Sequence, residues 1–153
     1  MIGPAPGLVQ DVGLPPGVTL RTIRDRADLQ AAQALWEQVS GRGLPGLADD
    51  LADRFARGTD MEVWVAESTG EIIAAGRLEP VAGTDVAGIW GGVTRADWRR
   101  RGVYRALTAE RARSAIRLGK TLLQSDSTEY SRPILERAGL SVVTTTTPYA
   151  WRR

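Results

Sequence analysis

The 153-residue chain has no cysteine and no histidine, and only one lysine and one phenylalanine. Without cysteine there are no disulfides and no thiol nucleophile. Without histidine there is no imidazole base, and the two absences together remove the usual zinc ligand sets. Any catalysis falls to carboxylates, tyrosines, hydroxyls or backbone dipoles. No apolar run is long enough to span a bilayer, so no membrane association is expected. The opening MIGPAPGLVQDVGLPPG lacks a basic segment ahead of a continuous apolar stretch, which argues against a secretory signal and makes cytoplasmic the expected location. An excess of one charge is missing too: 20 basic residues stand against 18 acidic ones, leaving a formal charge of +2. A basic field over the whole surface is excluded, so any local basic cluster carries more meaning than the total.

What remains is the composition of one soluble globular domain, 42% hydrophobic and 25% charged. Residues 1–17, with Pro4, Pro6, Pro15 and Pro16 among several glycines, read as an irregular arm, and residues 18–153 as a single domain. VTLRTI (18–23) alternates as a strand does. Asp25 offers an N-cap to a helix in which Leu29, Ala32, Leu35, Trp36 and Val39 recur at helical spacing up to Gly41. Leu47, Leu51 and Phe55 mark a second helix before Gly58. EVWVAES (62–68) and EIIAAGRLEPV (71–81), joined at Thr69-Gly70, read as a hairpin, and DVAGIWGGVT (85–94) as a third strand. A longer helix is expected from Val103 to Gly119, a short buried strand at TLLQS (121–125), a short helix over 131–138, and a β-branched strand at SVVTTTT (141–147). This order predicts an α/β fold of the mixed α+β kind, a central mixed sheet with helices on both faces.

GGVTRADWRRRGVYRAL (91–107) is the densest feature. Arg99, Arg100, Arg101 and Arg105 surround Gly102 where a strand gives way to a helix. A helix start presents N–H groups without intrahelical partners at the positive end of the dipole, so cations there are unfavourable by roughly 0.3 to 1 kcal/mol each unless an anion joins them. Three readings compete: a nucleic-acid backbone, the phosphates of a small cofactor, or a solvated basic face. Gly91 and Gly92 interrupt the preceding strand, and glycine there signals a bulge or the close approach of a ligand. Such a bulge would free an amide near Val93. The near-neutral charge and the lack of a second basic stretch argue against nucleic acid.

The run from Val93 to Leu107 resembles the acetyl-CoA signature of the GNAT superfamily of N-acetyltransferases, in which a strand valine leads to an R/Q-x-x-G-x-G/A turn opening a helix. The turn here is Arg99-Arg100-Arg101-Gly102-Val103-Tyr104, and ILERAGL (134–140) resembles the family's closing Y-E-K-x-G-F. Tyr104 stands where glycine or alanine is usual, and Leu135 where many members carry the tyrosine that protonates the leaving thiolate. The resemblance implies acetyl-CoA as cofactor, held by Gly92, Val93, Thr94, Arg99, Arg100, Arg101, Gly102, Val103, Tyr104 and Arg105. It also implies direct attack by a primary amine, from a small molecule or a peptide, without a covalent enzyme intermediate and without a metal. The oxyanion would meet a backbone amide near Gly92 or Val93. Glu79 is the candidate base and Tyr130 the candidate substitute acid. An enzymatically silent CoA-binding domain of the same fold is the alternative, and a homodimer is compatible with either. Trp36, Trp64, Trp90, Trp98 and Trp151 are too scattered for a stacking platform and read as core or interface residues.

Overall fold

The computed structural model describes residues 1–147 and Tyr149; Trp151 lies outside the described residues. The strands are β1 (Ile2–Pro4), β2 (Val18–Ile23), β3 (Glu62–Ser68), β4 (Glu71–Pro80), β5 (Val86–Thr94) and β6 (Leu122–Gln124). The helices are α1 (Ala5–Leu8), α2 (Arg26–Ser40), α3 (Leu47–Ala56), α4 (Val103–Arg117) and α5 (Arg132–Arg137). All six strands form one mixed sheet in the order β1-β6-β5-β4-β3-β2. Its pairs are antiparallel except β5 with β6. A parallel pair needs a crossover connection, and α4 supplies it.

Strand alternation sorts the core onto two faces. Val63, Val65 and Ala75 turn to α2 and α3, packing with Leu29, Leu35, Trp36 and Leu51. Trp64, Ala66 and Ala74 turn the other way and meet Val103 and Leu107 of α4. The local signals act as expected at the element ends. The Asp25 carboxylate accepts from the Asp28 amide at 2.9 Å at the start of α2, and Thr69 and Gly70, with φ of 51° and 82°, form the two-residue turn that right-twisted hairpin strands favour.

Two expectations need correction. The first residues are no irregular arm outside the core: Ile2–Pro4 pairs with β6, and Met1, Ala5 and Leu8 are buried with Ala112, Leu123 and Leu135. Apolar side chains at those positions, and an otherwise open β6 edge, outweigh the prolines; Pro4 ends β1 and Pro6 sits in the first turn of α1, where its missing N–H costs nothing. Residues 141–147 are no strand. Only Ser141 bridges, to Ile2, and Val142 to Thr147 are exposed. β-Branched composition forms a strand only where a sheet edge and a buried face both await it, and here the outer edge of β1 takes one bridge while the side chains beyond it face solvent.

Candidate functional site

β5 pairs with β4 along most of its length but with β6 only through Val86, Ala87 and Gly88. Beyond Gly88 the two parallel strands part, leaving the far edge of β5 uncovered through Thr94. The β4–β5 register advances from Ala75↔Val93 to Arg77↔Trp90, so Gly91 and Gly92 together face Gly76. That is a bulge with one extra residue in β5, as the glycine pair suggested, and Gly91 has the left-handed φ of 58°. The Trp36 indole N–H of α2 donates to the Gly91 carbonyl at 2.5 Å and pins it.

Of the two amides the sequence offered, Gly92 and Val93, the second is turned into the ladder. The Arg95 N–H donates to Ile73 O at 2.9 Å, so ladder alternation also turns Val93 toward β4. Thr94 faces the open edge, where its carbonyl accepts from Arg99 Nε at 3.2 Å. Thr94 therefore presents its amide to the open edge, and Val93 does not.

After β5 the chain makes one 3₁₀ turn (Ala96–Trp98) and enters α4 through Arg100 (φ 61°) and Gly102 (φ 83°). Among the described residues, the backbone amides of Arg100, Arg101, Gly102, Val103, Tyr104 and Arg105 donate no hydrogen bond. A run of unpaired donors at a helix N-terminus next to an open strand edge is built for an anion with several oxygens. Arg100, Arg101 and Arg105 are exposed around it, with Arg101 stacked 4.9 Å over Trp98. Arg99 is partly committed to Thr94.

Beneath the bulge lies a group that sequence reading passed over. Arg111 of α4 is 1% exposed and has no carboxylate partner. Its guanidinium donates to Leu107 O at 3.3 Å, Arg77 O at 3.4 Å and Thr108 Oγ1 at 3.0 Å. Burial pushes its pKa down, while the neighbouring Tyr104 hydroxyl works in the opposite direction. Both strands make room for it. A Cβ at Gly76 would come within 2.7 Å of Arg111 Nη1, and one at Gly92 within 2.9 Å of the Tyr104 ring. The signal was present in the spacing: Arg111 continues the inward stripe of Val103 and Leu107, where an apolar residue belongs.

On the α2–α3 side, a cleft of about 440 Å³ opens where β5 and β6 separate, lined by Arg54, Asp60, Glu79, Gly88, Trp90 and Gln124. Glu79 reaches it, but Arg54 donates to both its oxygens, at 3.3 and 2.8 Å, and Arg77 Nε stands 3.4 Å away. Burial lowers the pKa of Arg77, and its Nε has no hydrogen-bond partner. Tyr130 is 81% exposed and does not line this cleft, and Leu135 points into the core. Residues 92–105 thus lie contiguously at the end of β5 and the start of α4, Glu79 lines the cleft with Gly88 and Trp90, and Tyr130 stays apart from both.

The sequence profile of the Acetyltransferase (GNAT) family matches residues 28–139. A sequence search of curated proteins returned no match. Among solved structures, an acetyltransferase from Trypanosoma brucei is similar with a TM-score of 0.71 and 22% identity, over 88% of this chain and 99% of that one. AAC(6')-Iy, in complex with a bisubstrate analog, CoA-S-monomethyl-acetylneamine, gives 0.71 and 18% over 89% and 99%. Glucosamine-6-phosphate N-acetyltransferase from Arabidopsis thaliana gives 0.68 and 16% over 88% and 99%. At these identities the likeness is one of fold.

Proposed function

The chain belongs to the acetyltransferase (GNAT) family, and from that premise we propose that it transfers an acetyl group from acetyl-CoA to a primary amine by direct attack. The observation that carries the donor half is the run of unpaired amides from Arg100 to Arg105 beside the open edge of β5. Pyrophosphate oxygens suit that run, with Arg100, Arg101 and Arg105 as charge partners; the pantetheine amides suit the uncovered edge at Thr94. The residues fit the donor substrate, which supplies the activated thioester. Gly92 offers its amide to the carbonyl oxygen as charge develops there. With no cysteine in the chain, the amine attacks the thioester directly.

The acceptor enters from the cleft between α3 and the β5–β6 split, where Glu79, Asp60 and Trp90 face it. Glu79 holds Arg54 with both oxygens, so its part in this reading is to position the acceptor side, with the amine proton leaving through water. AAC(6')-Iy is bound to a bisubstrate analog that joins CoA to an acetylneamine, and the Arabidopsis enzyme is named for glucosamine-6-phosphate; a small-molecule amine is the acceptor class proposed here.

Thermal melting tests the donor assignment. Acetyl-CoA at a hundredfold excess over Kd should raise Tm by about 5 to 10 °C, from roughly 2.7 kcal/mol of linkage. Duplex DNA at physiological salt should leave it unchanged. A shift with DNA that collapses as salt rises, and none with acetyl-CoA, would overturn the reading in favour of a nucleic-acid module.

A further inference from the structure

Tyr104 and Arg111 form a unit that the proposed function leaves unused. Tyr104 opens the first turn of α4 and is half-buried; Thr108 and Arg111 follow on the same helix face, toward the sheet. The Tyr104 hydroxyl lies 3.6 Å, and Arg111 Nη2 3.5 Å, from the position a Cβ would take on Gly92. Gly92 is one of the two residues of the β5 bulge, beside the stretch of β5 that β6 leaves uncovered. A phenol and a buried cation thus meet at the point of the sheet where the bound thioester reacts. An ordinary structural account of Arg111 fails on its partners. A buried guanidinium is normally kept by a carboxylate, yet this one has two carbonyls and a hydroxyl, and its net charge is uncompensated among the described residues. The stripe of α4 would pack as well with an apolar side chain at that position.

Resting on the acetyl-CoA reading, we propose that Tyr104 is the general acid for the leaving thiolate and that Arg111 is the positioning residue that holds and polarises its hydroxyl. When the tetrahedral adduct collapses, the C–S bond breaks with its electron pair going to sulfur, and Tyr104 Oη passes its proton to that sulfur. CoA leaves as the thiol and the nitrogen keeps the acetyl group. The phenolate left beside the guanidinium recovers a proton from water on the half-exposed side of the ring. The acid so placed comes from α4, whereas position 135 on α5 holds a leucine packed in the core. The same burial that lowers the Arg111 pKa makes a negative neighbour favourable there.

The test reads binding at the sulfur. CoA and desulfo-CoA, which lacks only the thiol, are titrated by calorimetry at a pH of about 9, above the ordinary thiol pKa of about 8.5. Wild-type protein should bind CoA about tenfold or more tightly than desulfo-CoA, the size of a hydrogen bond to a charged group. Tyr104→Phe, which keeps the backbone amide and the ring but removes the hydroxyl, should bring the ratio close to one. Arg111→Met should reduce the ratio while melting no lower than wild type, since an apolar side chain of similar length replaces an unpaired buried charge. Equal binding of both ligands by wild type, or an unchanged ratio in Tyr104→Phe, overturns the assignment while the CoA site stands. A ratio retained in Arg111→Met overturns the part given to Arg111. No binding of either ligand overturns the donor reading and this assignment with it.

Discussion

At the scale of single residues, the loop before α4, the proposed phosphate site, holds its shape at a conformational cost. Arg100 is one of two non-glycine residues with positive φ among those described, and an L-residue there costs about 1 to 2 kcal/mol. Arg100→Gly should therefore stabilise the ligand-free protein by about 0.5 to 1 kcal/mol, after the added freedom of the unfolded chain is subtracted, while weakening acetyl-CoA binding severalfold through loss of the cation. Urea unfolding and a CoA titration on one preparation check the two signs, and a variant that is less stable would show that no strain is held there. Gly102 is a less informative probe. A valine at φ 83° is strained wherever it lies, and its Cβ would meet Val12 Cγ1 at 3.3 Å, so lost stability and lost binding would arrive together.

At the scale of elements, an ion-pair cluster fixes the first helix against the sheet. Arg21 on β2 donates to Asp28 in the first turn of α2 and to Glu67 on β3. The Arg21 hydrogen bond holds the Asp28 carboxyl below its ordinary value of 3.8. A carboxylate whose folded pKa is depressed contributes stability at pH values above the unfolded pKa, and that contribution disappears as pH falls through the folded pKa. Asp28→Asn should accordingly melt below wild type at pH 7, with the gap closing as pH drops below 3.8. The gap should be small, because Arg21 is 41% exposed and solvent screens the pair. A melting difference independent of pH would show that it does not come from the Asp28 charge. The α4 start obeys the opposite logic: its arginines oppose the helix dipole, a conflict that the proposed anion would remove.

At the scale of the whole molecule, the sheet is completed by the segment that precedes the motif-bearing core. Leu8 is 2% exposed and packs in the same cluster as Leu78, Leu123 and Leu135, so residues from both ends of the described chain share one core. Leu8→Ala should cost about 2 to 5 kcal/mol, read as a fall in denaturation midpoint with the slope unchanged. A change within about 0.5 kcal/mol would return residues 1–17 to the status of an appended arm. The same segment runs past the ligand loop, with the Gln10 carbonyl accepting from Arg113 at 3.0 Å and Val12 beside Gly102.

The sequence by itself determined the elements whose information is local. Asp25 caps α2, Thr69-Gly70 turns the hairpin, the alternation of 62–78 sends side chains to two faces, and Gly91-Gly92 interrupts β5, because capping, turn conformation and pleat periodicity depend on neighbours along the chain. The loop proposed here to hold phosphate could be singled out for the same reason: glycine, arginine and the helix start are contiguous. Only the tertiary structure decided what depends on partners distant in sequence. That 2–4 pairs with β6 while 141–147 makes only one bridge, to β1, depends on which edge and which buried face each segment meets, and β-propensity does not contain that. Which β5 amide is free follows from the β4 register, which no β5 residue encodes. That Glu79 is held by Arg54, that Tyr130 is exposed, and that Arg111 meets Tyr104 under a pair of glycines on two strands are facts of juxtaposition, in which burial and charge act across space.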